Sequence, residues 1–153
     1  MNKTKWIELI KKAPHAQKLT NKNIKYPTKK EQLTAVRKNG DNIQYIHSPD
    51  KEVQLEAVRK NGDNIRWIRD PDREVQLEAV RKNGWSIQWI HDPDKDVQLE
   101  AVRKNGDSIQ HIHNPDREVI VHYLIAACPE LLRDPRYDLK EWDPKCDLKE
   151  LNE

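Results

Sequence analysis

The sequence predicts an all-α solenoid: stacked units of one α-helix plus one short α- or 3-10 helix, closed by helical caps. Three observations carry this. The string Ala-Val-Arg-Lys-Asn-Gly occurs at 35–40, 57–62, 79–84 and 101–106, always 22 residues apart. Each unit holds two cap-type signals, each of which can start a helix. The chain is 35% apolar and 35% charged with no Phe, against roughly 45–50% and about 25% in ordinary globular chains. That leaves too little for a broad core but suits a thin core repeated along an axis, in which one unit cannot bury its apolar surface alone.

Four units cover 31–118, and units 53–74 and 75–96 differ at only six of 22 positions. Ser48, Asp70, Asp92 and Asn114 are expected N-caps, because their side-chain oxygens accept an orphan backbone N–H. The Pro that follows each suits the first helical position, and the next Asp suits the helix dipole. A helix of about 12 residues should follow. Gly62, Gly84 and Gly106, with Gly40 in the first unit, are expected to end it as positive-φ residues. Asn42, Asn64, Ser86 and Ser108 should then cap a short α- or 3-10 helix.

Within the helix of the second unit, Val53, Leu55, Ala57 and Val58 span an apolar arc at 100° per residue. Glu56 and Lys60 form an i,i+4 pair that recurs at 78/82 and 100/104. Gln54, Gln76 and Gln98 fall inside the arc, and the fourth copy is Ile120. A glutamine row bonding between neighbouring units is expected. Ile43, Ile65, Ile87 and Ile109, with Ile46, Ile68, Ile90 and Ile112, form two further core columns.

The ends depart from the pattern, as capping segments should. Residues 1–30 form a basic N-terminal cap: Asn23–Tyr26 echoes Asn42–Tyr45 as a worn half-unit, and Trp6, Ile7, Leu9 and Ile10 line one helix face. Thr28–Glu31 is a capping box. Residues 119–153 form a C-terminal cap in which Val119–Ala127 is a closing helix. Asp134-Pro135 and Asp143-Pro144 repeat the cap-and-proline device, and 145–153 is a short polar helix.

With these residues in view, Asp70–Gly84 resembles the leucine-rich-repeat-variant pattern. That family stacks an α-helix and a 3-10 helix per repeat, which implies a right-handed α-solenoid of five to six units. The Ala-Val-Arg-Lys-Asn-Gly…Ile-Gln core also resembles an uncharacterised bacterial repeat built on Ala-Val-Lys-x-Asn-Gly. The resemblance covers about 31–126 and speaks to architecture rather than activity. The iron–sulfur module of one such relative needs a cysteine cluster, whereas this chain has only Cys128 and Cys146.

Function classes narrow by what is missing. No phosphate-cradling Gly loop, His-Glu-x-x-His or Gly-x-Ser-x-Gly occurs, so no enzyme and no cofactor is expected. Cys128 reads as a small buried hydrophobe. The segment Met1–Pro14 holds no apolar run of signal-peptide length. No stretch reaches the ~18 apolar residues of a membrane span. The chain reads as cytoplasmic with reduced thiols.

Positions that vary among near-identical copies are the candidates for binding. One column is Tyr45, Trp67, Trp89 and His111. Beside it run Gln44, Arg66, Gln88 and Gln110, and then His47, Arg69, His91 and His113. Exposed, these make a stripe rich in residues typical of binding hot spots; buried, the aromatics pack over the next short helix. Trp85 stands where other units carry Asp41, Asp63 and Asp107, and is a further hot-spot candidate. The His column does not imply a metal. Stacked helices lie about 8–10 Å apart, against Zn–N bonds of about 2.0–2.1 Å.

The expected function is a protein-binding scaffold, and so small a single-purpose binder suits an inhibitor of a larger complex, for example a phage-encoded one. The expected state is a monomer or weak homo-oligomer. The alternative is nucleic-acid binding. Residues 1–30 carry nine Lys and one Glu, so +8, while 31–118 and 119–153 each sum to −3, which gives the net +2. Lys22, Lys25, Lys29 and Lys30 would then join Arg37, Arg59, Arg81 and Arg103 along one groove.

Overall fold

The computed structural model describes residues 27–128. Every regular element among them is helical, and α-helices alternate with 3-10 helices: α1 (Lys29–Lys38), η1 (Gly40–Tyr45), α2 (Lys51–Lys60), η2 (Gly62–Trp67), α3 (Arg73–Lys82), η3 (Gly84–Trp89), α4 (Lys95–Lys104), η4 (Gly106–His111) and α5 (Arg117–Ala127). Each α-helix packs on the next α-helix, and each 3-10 helix on the next 3-10 helix. The result is a solenoid-like stack with α-helices along one side and 3-10 helices along the other. The expected N-terminal helix, half-unit and C-terminal segments beyond residue 128 lie outside the described residues.

The core is a set of columns. Val36, Val58, Val80 and Val102, then Val53, Val75, Val97 and Val119, are buried, as are Ala35, Ala57, Ala79 and Ala101. Ile43, Ile65 and Ile87 are buried from the 3-10 side with Ile46, Ile68, Ile90 and Ile112, while Ile109 and the leucines Leu33, Leu55 and Leu77 are partly buried against them. Each buried Val or Ile contributes about 1.5–3 kcal/mol by removal from water. Because the columns run through every interface between units, this stabilisation exists only in the stack.

The caps lie two residues later than the sequence suggests. The N-caps of α2–α5 are Asp50, Asp72, Asp94 and Asp116, not Ser48, Asp70, Asp92 and Asn114. The proline disfavours right-handed helix in the residue before it. Ser48, Asp70 and Asp92 therefore turn the chain at φ near +50°, a region that short polar side chains tolerate. The second Asp, extended, is then free to cap: Asp72 accepts from Val75 N–H at 3.1 Å and Asp94 from Val97 N–H at 2.9 Å. The four repeat helices α1–α4 are 10 residues long rather than 12. The capping box at Thr28 and Glu31 is present.

The glycines also act differently from expectation, since none has positive φ. The helices end at Asn39, Asn61, Asn83 and Asn105, which are extended yet still donate N–H to Ala35, Ala57, Ala79 and Ala101 carbonyls. Three of these asparagines also start the following 3-10 helix, their Oδ1 accepting from Asp41, Asp63 and Trp85 N–H. Asn42, Asn64, Ser86 and Ser108 are therefore not caps but buried members of the 3-10 helices. Gly62 is required by close approach: a Cβ there would lie 2.5 Å from Ala79 O in the next unit.

Three further expectations change. Gln54, Gln76 and Gln98 donate Nε2–H to the carbonyls of Pro49, Pro71 and Pro93. They tie each helix to its own entry turn; Gln98 also accepts from Asp116 N–H of the next unit. Glu78 and Glu100 bridge to Arg59 and Arg81 of the preceding unit, not to Lys82 and Lys104. Cys128, expected buried, is exposed.

Candidate protein-interaction face

The Ile of each 3-10 helix stands seven positions after the Val of the preceding α-helix, and this Ile faces the core. The two residues after it therefore point out of the stack's 3-10 side. Gln44, Arg66, Gln88 and Gln110 are all exposed. Trp67 and Trp89 are 44% and 46% exposed, unusual for indoles, while Tyr45 is half-buried and His111 exposed. His47, Arg69, His91 and His113 are exposed as well. The stack thus carries the three variable columns on one edge, and the aromatics do not disappear beneath the next short helix.

Local bonds order this edge. The Arg66 guanidinium lies 5.0 Å from the Trp67 ring centroid, an attraction of about 0.5–1 kcal/mol at an exposed site. Gln44 and Gln88 donate Nε2–H to the carbonyls of Asp41 and Trp85. Arg69 lies 3.6 Å from the Asp70 carboxylate.

Trp85 is half-buried. Its ring meets His111 of the next unit at a centroid distance of 5.1 Å. One unit earlier, the Asp in this column staples two units together. Asp63 accepts from Asn83 Nδ2 at 3.0 Å and from the buried Ser86 Oγ at 2.9 Å. With Trp at 85, Ser108 instead donates to Asn105 O at 2.7 Å.

Much of the basic charge of the α side is paired across units. Arg37, Arg59 and Arg81 reach Glu56, Glu78 and Glu100 at 3.8, 3.2 and 3.3 Å. Lys29 meets Glu52 at 2.7 Å, Lys51 meets Asp72 at 3.0 Å and Arg73 meets Asp94 at 2.8 Å. The side-chain bond and charge of Glu52 push the Lys29 ammonium above its ordinary range. Arg103 departs from the row, because position 122 is His rather than Glu. Lys30 is exposed, and Lys22 and Lys25 lie outside the described residues.

Among the described residues no group of three or more His, Cys, Asp or Glu is placed to hold a metal ion. No described helix is long and apolar enough to cross a membrane. That Glu56, Glu78 and Glu100 neutralise much of the basic columns follows from the sequence; the inter-unit register of the Arg–Glu row is what sequence reasoning missed. Its signal was an Arg followed 19 residues later by Glu, three times over.

The profile of a domain of unknown function (DUF4116) matches residues 72–116. That segment spans α3, η3, α4 and η4. No curated protein and no solved structure matches the chain.

Proposed function

We propose that this chain is a non-enzymatic cytoplasmic scaffold, akin to leucine-rich-repeat-variant stacks, that binds another protein through the 3-10 edge. The observation that carries this is the pair Trp67 and Trp89, each nearly half exposed on adjacent units. Exposed indoles beside Arg and Gln are what interface hot spots are made of, and a stacked scaffold holds them in fixed register. An inhibitor of a larger complex fits such a surface, which offers contact area without a reaction site.

Nucleic-acid binding has less support. Arg37, Arg59 and Arg81 already hold carboxylates, so a phosphate would have to displace them.

The test is capture from lysate with the tagged full chain, after nuclease and at high salt, beside a Trp67→Ala/Trp89→Ala double variant. A discrete protein retained by the wild type and lost by the variant is expected. Retention by both, or recovery only of nucleic acid that high salt removes, overturns the reading.

A further inference from the structure

We propose that the Trp67–Trp89 edge receives a proline-rich segment in the polyproline II conformation, flanked by basic residues. This rests on the reading of the 3-10 edge as a protein-binding face and names the kind of segment it fits.

The first argument is pitch. Polyproline II has three residues per turn and a rise of about 3.1 Å, so equivalent side chains recur about every 9.3 Å. Packed helices lie about 8–10 Å apart. The units here are in close contact, since a Cβ on Gly62 or Gly84 would fall 2.5 or 2.6 Å from the next unit's Ala carbonyl. One turn of the ligand therefore advances by about one unit. A proline at every third position would meet Tyr45, Trp67, Trp89 and His111 in succession.

The second argument is chemistry. A polyproline II backbone has no internal hydrogen bonds, so its carbonyls remain to accept from indole Nε1–H and glutamine amides. Gln88 is already oriented by its bond to Trp85 O. Arg66 restrains the Trp67 ring at 5.0 Å. Exposed aromatic rings and a pre-formed, low-entropy ligand are the elements this recognition mode combines.

The third argument is charge. Asp41, Asp92 and Asp107 are exposed in or beside the stripe, while Asp70 pairs with Arg69. Of the stripe's two arginines, Arg66 lies on the Trp67 ring and Arg69 against Asp70. Carboxylates there attract Lys or Arg flanking the prolines and repel phosphates. This sets the proline segment above a single-stranded nucleic acid stacking on the same indoles.

Calorimetric titration of the full chain tests this with three probes: a lysine-flanked proline peptide, a lysine-flanked Gly/Ser peptide of equal length, and an oligothymidylate. Saturable binding of the proline peptide is expected, at least roughly tenfold tighter than the Gly/Ser peptide, about 1.4 kcal/mol. Trp67→Ala and Trp89→Ala should each weaken it by a similar factor, with circular dichroism unchanged because both side chains are exposed. Equal affinity for the two peptides, insensitivity to both variants, or tighter binding of the oligonucleotide overturns the proposal. A selection from a random peptide library separates its failure from that of the wider reading. Enriched sequences without proline that need Trp67 and Trp89 remove only the polyproline assignment. Enriched sequences indifferent to both tryptophans remove the protein-binding face as well.

Discussion

The indole of Trp85 meets the imidazole of His111 edge-on, with centroids 5.1 Å apart and ring planes at 63°. This contact replaces a polar staple. One unit earlier, Asp63 accepts hydrogen bonds from Asn83 and from Ser86, whose side chain is fully buried. The chain thus joins η2 to η3 by a carboxylate and η3 to η4 by an aromatic pair.

Trp85→Asp should rebuild the staple, with Asn105 and Ser108 as donors. The lost edge-to-face pair is worth about 0.5–1.5 kcal/mol, and each new hydrogen bond contributes about as much. Net stability by chemical denaturation should stay within about 1 kcal/mol of wild type. Asp63→Ala should cost about 1–3 kcal/mol, because it strips a partner from the buried Ser86 hydroxyl. A Trp85→Asp loss as large as that of Asp63→Ala would show that the two junctions are not interchangeable.

Gly62 and Gly106 occupy equivalent places in the repeat but should respond oppositely to alanine. At Gly62 a Cβ would sit 2.5 Å from Ala79 O and 2.7 Å from Ser86 Oγ. The backbone carbonyl cannot swing away, so the units must separate, and Gly62→Ala should cost about 1–3 kcal/mol. At Gly106 the nearest atom is Tyr123 Cε2 at 3.7 Å, an ordinary contact. Without a positive φ to lose, Gly106→Ala should gain about 0.4–1 kcal/mol by restricting the unfolded chain. Thermal melts of both variants check the sign, and a shared sign would refute the account.

The contrast shows what the sequence could and could not disclose. The 22-residue spacing and the Val, Ala and Ile columns identify the unit and its core, because burial leaves an invariant mark in every copy. Some columns that vary, such as Arg66 against Gln88, are exposed here, but variation among copies does not by itself mark exposure, since Asn42, Asn64, Ser86 and Ser108 vary and are buried. The turn before each helix was misread because Asp70-Pro71-Asp72 offers two cap-type residues. Only the observed φ of +49° at Asp70 decides that the second one caps. The role of Gly62 was hidden for another reason: its constraint is Ala79 O, 17 positions away and in a different unit. The Arg59–Glu78 pair likewise becomes visible only once the rise from one unit to the next is known.

Acid should loosen the stack through the N-cap aspartates. Burial pushes the Asp94 carboxyl up, but the Val97 N–H bond and the Arg73 guanidinium outweigh it, and the group titrates below its ordinary range. Asp72 behaves alike: burial raises it, and Val75 N–H with Lys51 lowers it further. A carboxyl depressed in the folded state contributes stability that is present above its unfolded pKa, about 3.9 for Asp. That contribution is lost as pH falls through the lower folded value. Stability from these two groups should therefore be level near neutrality and decline below about pH 4. Asp72→Asn/Asp94→Asn keeps an oxygen to cap each helix but removes the charge. It should cost little at neutral pH, where such exposed pairs are weak, and should flatten the acid decline. Asp94→Ala removes the cap as well and should cost about 1 kcal/mol at every pH above that range. Denaturation midpoints across the acid range distinguish these outcomes. An acid slope in the double variant equal to that of wild type would remove the two aspartates from the cause.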